Sequence, residues 1–222
     1  MTKAKIKEIF ASIQGEGRYV GYKQLFIRFC GCNLKCSYCD TDFSLEKDYT
    51  EYSPEMLAGI ANDCNDIHSV SLTGGEPLLQ ADFLKEFLPL TDKTIYLETN
   101  ATLSNNFIMV KPFIDIISAD IKLESSTGIK NTFEMHEKFF EACRGVETFA
   151  KIVFNKNITS EEIIKCCELG RKYDIELILQ PEMNGKFMTV DSASVYEILN
   201  KFLKEYKQVR LIPQVHKYLD VR

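Results

Sequence analysis

The sequence predicts an α/β fold in which about six strand–helix units follow one amino-terminal strand. Two observations carry this expectation. Short β-branched or aromatic runs recur along the chain, and helical periodicity fills most of the gaps between them. Such alternation predicts parallel strands joined by crossover helices. With 222 residues, 45% of them apolar, the chain can bury a sizeable core, and 1–222 reads as a single domain.

In order, the expected strands are AKIKEIF (4–10), QLFIRFC (24–30), SVSLT (69–73), TIYLET (94–99), DIISAD (115–120), TFAKIVF (148–154), IELILQ (175–180) and VRLI (209–212), each read as buried. The first expected helix, PEMLAGIAND (54–63), has Ser53 as N-cap and Pro54 at its first position. ADFLKEFLPL, TFEMHEKFFEACR, SEEIIKCCELGRKY and SASVYEILNKFLKEY follow. Six units are too few for a closed eight-unit barrel, so an open partial barrel and a doubly wound sheet both fit. In either, chemistry sits beyond the carboxyl ends of the strands. There the sequence places a cysteine loop after QLFIRF, TGGEP after SVSL, ETN after TIYL, SAD after DII and QPEM after LIL.

Composition narrows the function classes. Net charge is −5, with lysines interleaved among acids, so there is no basic footprint for nucleic acid. The start lacks a long apolar segment, and no stretch approaches the roughly 18 apolar residues that span a bilayer. The expectation is a cytoplasmic protein that does not enter membranes. Of eight cysteines, Cys30, Cys32, Cys36 and Cys39 fall within ten residues, while Cys64, Cys143, Cys166 and Cys167 are scattered. Disulfide frameworks belong to small secreted chains, so the cluster points to metal or redox chemistry and the scattered four to core packing.

Cys32, Cys36 and Cys39 have the spacing CxxxCxxC, which sets three thiolates on one short loop. Structural zinc is closed by four ligands, and no second CxxC or histidine pair lies nearby. A [4Fe-4S] cubane held by three cysteines leaves one iron open, as a catalytic cluster requires. Cys30 ends an apolar strand and reads as a core thiol rather than a fourth ligand.

CxxxCxxC after an early strand, followed by TGGEP (73–77) after the next, resembles the radical S-adenosylmethionine (SAM) superfamily. The resemblance implies an open β/α barrel and an iron that takes the amino and carboxylate groups of SAM. Gly74 and Gly75, lacking side chains, would let backbone approach the SAM amino group. SIQGEG (12–17), FIRFCGCNL (26–34), CDTDF (39–43), QPEM (180–183) and IPQVHKYLDVR (212–222) together resemble the 7-carboxy-7-deazaguanine synthase family, from residue 8 to the end. That implies conversion of 6-carboxy-5,6,7,8-tetrahydropterin to 7-carboxy-7-deazaguanine with release of ammonia, in 7-deazapurine (queuosine-type) biosynthesis. SAM and Mg²⁺ are the implied cofactors beside the cluster.

By motif, the resemblance assigns Ile13, Gln14, Gly15 and Glu16 to the pterin, an amide and a carboxylate suiting a ring with an amino group and adjacent N–H donors. Arg28, charged within an apolar run, would hold the substrate carboxylate. Thr73 matches a further substrate contact, and His216 and the carboxylate of Arg222 would close the pocket. Glu16 and His216 are the implied catalytic pair. Tyr38, Cys39, Asp40, Gly75, Ser118, Ala119, Asp120, Gln180, Pro181, Glu182 and Met183 match SAM contacts, and Thr41 the Mg²⁺ ligand. A flavodoxin or ferredoxin donor and a homodimer are also implied. Two alternatives share the cysteine loop: an activase for a glycyl-radical enzyme, which SIQGEG and PQVHK disfavour, and a non-catalytic iron–sulfur or zinc protein.

Overall fold

The computed structural model describes residues 2–39, 48–130 and 132–221. Its strands are β1 (Ala4–Ile13), β2 (Lys23–Phe29), β3 (Thr50–Tyr52), β4 (Ser69–Gly74), β5 (Ile95–Thr99), β6 (Ile116–Asp120), β7 (Glu147–Phe154), β8 (Glu176–Pro181), β9 (Met183–Asn184), β10 (Phe187–Met188) and β11 (Val209–Leu211). The helices are α1 (Pro54–Asp63), α2 (Ala81–Phe87), α3 (Ser104–Val110), α4 (Glu124–Thr127), α5 (Phe133–Ala142), α6 (Ser160–Tyr173), α7 (Ser192–Glu205) and α8 (Val215–Leu219).

Among the described residues, one nine-stranded sheet runs β11-β8-β7-β6-β5-β4-β2-β1-β3. From β2 to β11 every pairing is parallel, whereas β1 runs antiparallel to both β2 and β3. β9 and β10 form a separate hairpin beyond β8.

Side-chain alternation along each strand decides between the two architectures left open above. One face carries Leu25, Ile27, Val70, Leu72, Leu97, Ile117, Ile152 and Leu177, which pack with the buried sides of α1, α2, α3, α5, α6 and α7 in one core. The opposite face holds a small apolar layer of Tyr96, Ile116, Phe149 and Ile178, completed by the loop residues Tyr19 and Ile212 and by no helix. A doubly wound sheet would carry helices on both faces, so this is an open β/α barrel with its helices outside. Two residues further along, the inner face turns polar: Tyr96 gives way to Glu98, Phe149 to Lys151 and Ile178 to Gln180.

Helix starts follow local chemistry. The Ser53 side chain accepts from the Met56 amide, and Thr159 with Glu162 forms a reciprocal capping box at α6. Because β1 is antiparallel, its end lies at the amino-terminal mouth of the barrel, and the loop 14–22 enters there. Tyr19 packs edge-on to Tyr96, ring centroids 5.7 Å apart, while Arg18 reaches Glu176 at 2.8 Å and Glu147 at 3.2 Å. Cys30, Cys143, Cys166 and Cys167 are buried thiols, as expected of core residues, and Cys64 is half-buried.

Candidate active site

A cavity of about 620 Å³ occupies the polar half of the barrel interior. Its floor is Ile13, Gln14, Gly15 and Glu16, from the end of β1 and the entering loop, and Arg28 and Thr73 stand on the neighbouring strands. Tyr38, Cys39, Gly74, Asp120, Gln180, Glu182 and Met183 line its upper part, and His216 flanks the floor. A smaller cavity of about 130 Å³, bordered by Cys32, Cys36, Gly75 and Asn100, shares Tyr38, Cys39, Thr73, Gly74, Glu98 and Asp120 with the first. The two spaces therefore adjoin, with these six residues between or beside them.

The floor is held by hydrogen bonds rather than apolar contact. The Gln14 amide donates to Gln24 at 2.9 Å and Glu98 at 2.8 Å, and its oxygen accepts from the Glu16 backbone N–H at 3.0 Å. Gln14 is buried with its amide engaged in protein bonds, so its side chain orients Glu16 and Glu98. The carboxyl-terminal segment docks on the same loop: the Val215 N–H donates to the Gly15 carbonyl at 2.8 Å, and Gln214 donates to Glu16 Oε1 at 2.6 Å. Glycine is required at position 15, where a Cβ would lie 2.6 Å from the His216 backbone nitrogen.

An alternating chain of charge climbs from floor to rim. Glu16 pairs with Lys151, Lys151 with Asp120 at 3.3 Å, and Asp120 with Lys122 at 2.8 Å. Lys122 then donates to the Tyr38 hydroxyl at 3.0 Å, beside Cys39. Burial alone would raise the Glu16 pKa, but Lys151 and the Gln214 amide bring it down to about 2. Burial would likewise depress Lys151, yet Asp120, Glu16 and Glu98 hold it well above the usual lysine range. His216 lies below its ordinary value because it is desolvated, despite the opposing pull of Glu16. Arg28 faces Glu8 at 3.2 Å and lies over the Phe10 ring, but its buried Nε makes no hydrogen bond.

At the rim, the glycine pair serves backbone packing. Gly74 has φ of +117°, and a Cβ there would lie 2.5 Å from the Phe29 nitrogen; one on Gly75 would overlap the Gly31 carbonyl. The cysteine loop thus rests directly on the end of β4. Glu76 is fully buried, accepting from Leu78 N, Thr99 Oγ1 and Asn100 N at 3.1, 2.9 and 2.7 Å. Asn100 in turn donates to Asn33 at 2.8 Å and approaches the Cys32 sulfur at 3.9 Å.

These residues fit an iron–sulfur cluster and SAM. Cys32 and Cys39 are exposed and Cys36 is half-buried, and all three border the smaller cavity. Among the described residues no three His, Cys, Asp or Glu side chains converge on a single ion, whereas a cubane takes each thiolate at a different corner. Gln180 Oε1, buried without a hydrogen-bond partner, is an open acceptor for a donor group of a ligand in the main cavity.

Ser118, Ala119 and Pro181 are buried beside the site without lining either cavity, and Asp40, Thr41 and Arg222 lie outside the described residues. Sequence reasoning set ETN (98–100) at the site end without giving Glu98 a role, and missed Lys151, Lys122 and Gln214, which the structure brings into the site. Lys151 within TFAKIVF carries the same signal that singled out Arg28, a charge on an otherwise buried strand.

Comparison with known proteins agrees with this geometry. The Radical SAM superfamily model matches residues 26–184. The chain is 37% identical over 236 aligned positions to the 7-carboxy-7-deazaguanine synthase of Archaeoglobus fulgidus, covering 99% of this chain and 100% of that protein. It is 34% identical to the protein of the same name from Geobacter sulfurreducens, covering 97% of each. The crystal structure of QueE from Escherichia coli shares the fold, with a TM-score of 0.67, 21% identity, and coverage of 96% of this chain and 95% of that one. The chain belongs to the radical SAM superfamily and, within it, to the 7-carboxy-7-deazaguanine synthase family.

Proposed function

We propose that this chain converts 6-carboxy-5,6,7,8-tetrahydropterin to 7-carboxy-7-deazaguanine with release of ammonia, a step of 7-deazapurine biosynthesis. The observation that carries this reading is the adjacency of the two cavities: an acceptor-rich floor lies at one end of the larger cavity, and the three cysteines border the smaller cavity that adjoins it.

Cys32, Cys36 and Cys39 hold the [4Fe-4S] cluster, and Tyr38, Asp120, Gln180, Glu182 and Met183 receive SAM beside it. When bound, cluster and SAM supply a 5′-deoxyadenosyl radical for hydrogen abstraction at C6 of the pterin. The protein's own contribution is placement. Glu16, held anionic, accepts the pterin's amino and N–H donors, while Arg28, whose Nε faces Glu8, offers the rest of its guanidinium to the substrate carboxylate. Thr73, whose hydroxyl donates to Glu98 at 2.7 Å, presents its oxygen to the substrate from β4. His216, desolvated against Gly15, covers the floor and keeps water from the reacting ring. Mg²⁺, assigned to Thr41, completes the cofactor set. A single domain, a homodimer, a flavodoxin or ferredoxin as electron source and a cytoplasmic setting belong to the same reading. Among the described residues no helix is long and apolar enough to cross a membrane.

Anaerobic reconstitution with iron, sulfide, SAM, Mg²⁺ and the pterin, followed by mass-spectrometric detection of the deazaguanine acid, tests the proposal. Product is expected. SAM cleavage without product, together with glycyl-radical formation in a partner protein, would assign the chain to activases instead.

A further inference from the structure

Lys151 carries no role in the reading above, yet it is the most constrained cation in the cavity. It is 6% exposed and rises from the inner face of β7 between Phe149 and Val153. Its ammonium bridges two carboxylates on different elements, Glu16 in the floor loop and Asp120 on β6. Burying an ammonium is costly unless it is fully paired, so a lysine at this depth persists because both partners are anions.

We propose that Lys151 is a positioning residue for substrate: by pairing with Glu16 it keeps that carboxylate an acceptor for the pterin's amino and N–H donors, and through Asp120 it fixes the floor against the SAM-side wall. This inference rests on the pterin reading and deepens it. Glu16 Oε2 is occupied by Lys151 and Oε1 by the Gln214 amide, which orients the group on both sides. Each carboxylate oxygen retains a second acceptor direction, so the pair of oxygens can still meet two parallel N–H donors. Without the ammonium, the desolvation that Lys151 now outweighs favours the protonated carboxyl, which turns one acceptor into a donor. It would then oppose the pterin donors it is meant to receive.

The other charged groups lining the cavity with Glu16 are Asp120 on β6, Glu98 on β5, Arg28 on β2, Glu182 just after β8, and His216 and Lys217 on α8. Asp120 and Glu98 line the same cavity and set further carboxylates near an unpaired Glu16. Desolvation holds the His216 pKa below its ordinary value, which keeps the ring neutral at pH 7 and above. Asp120 keeps Lys122 when Lys151 is removed, so Glu16 is the carboxylate that loses its lysine partner.

The test compares the reconstituted wild-type holoenzyme with Lys151→Met and Lys151→Gln. Pterin affinity is measured by anaerobic titration calorimetry, and KM by product formation. At pH 7 both variants should bind the pterin about ten- to a hundredfold more weakly, the scale of a lost charged hydrogen bond. Raising the pH to 9 should return their affinity toward the wild-type value, because the buried carboxyl then ionises. The double variant Glu16→Gln/Lys151→Met should show no such recovery. Lys151→Gln retains a donor toward Asp120 and supplies the measurement if Lys151→Met does not fold. Unchanged affinity in a Lys151 variant, or a loss that does not recover with pH, would overturn the inference. A wild-type enzyme that neither binds nor converts the pterin would instead overturn the functional reading beneath it.

Discussion

The two faces of the barrel sheet are made by the same strands and obey opposite rules. On β7, Ala150, Ile152 and Phe154 point outward into the helix-packed core, while Phe149 and Lys151 point into the barrel. The outer face gains its stability from apolar area removed from water, a term that is large and non-directional. The inner face above the Tyr96–Phe149 layer carries Thr73, Glu98, Asp120 and Lys151, which engage in directional bonds and ion pairs, and Gln180, whose Oε1 is left open. Buried ion pairs contribute little net stability because desolvation offsets their attraction. The contrast locates stability outside and chemistry inside, and it can be broken by substitutions on either side.

The largest effect is expected at the inner rim. Cys36→Ala should abolish turnover and cluster absorbance while leaving the urea midpoint of the cluster-free protein near that of wild type, measured by circular dichroism. Normal activity without a cluster would remove the basis of the whole assignment. Next comes the outer core: Phe139 on α5 is fully buried with its ring centroid 5.1 Å from that of Phe107 on α3. Phe139→Ala should lower the unfolding free energy by ~3–5 kcal/mol, with the pterin KM of the remaining folded enzyme unchanged.

His136 sharpens the comparison because it joins the two layers. It rises from α5, accepts from the Lys122 N–H at 3.0 Å and contacts the Ala101 carbonyl at 3.1 Å. Burial lowers its pKa from 6.5 to about 4. As pH falls through 6.5 the unfolded chain binds a proton that the folded chain refuses until about pH 4, so stability is full above 6.5 and declines between the two values. That decline should amount to about 3 kcal/mol and shrink in His136→Gln, measured by urea unfolding across the range. The smallest effect belongs to the helix surface. Thr159→Ala, which opens the α6 capping box, should cost ~1 kcal/mol and leave kinetics untouched.

What the sequence disclosed follows the same division. Outer-face helices with strong periodicity and caps, such as 54–63 and 160–173, are legible to the residue. α3 escaped notice because its Ser-Asn-Asn start offers weak helix formers and no side-chain cap. The strands were legible as apolar runs, but the two-residue alternation that hides Glu98 and Lys151 within them emerges only when the sheet is assembled. Motif resemblance located Glu16 and His216. That Gly15 must be glycine for His216 to dock, and that Gln214 holds Glu16, depends on two chain segments about 200 residues apart meeting in space. The GGEP motif was legible as a site marker, yet its glycines serve backbone packing against Phe29 and Gly31, and its glutamate braces Asn100.

The central claim is that the pterin lies on the Glu16 floor with C6 toward the cysteine rim. It is tested most directly by supplying the reconstituted enzyme with SAM and a pterin deuterated at C6, then measuring the isotope content of the 5′-deoxyadenosine formed and of the SAM recovered. Loss of ammonia from the pterin is redox-neutral, so the hydrogen taken from C6 must be handed back to the rearranged substrate. The account predicts that deuterium enters the 5′ position of 5′-deoxyadenosine and of the SAM recovered from turnover. Deazaguanine acid formed while 5′-deoxyadenosine and recovered SAM both stay unlabelled would contradict it.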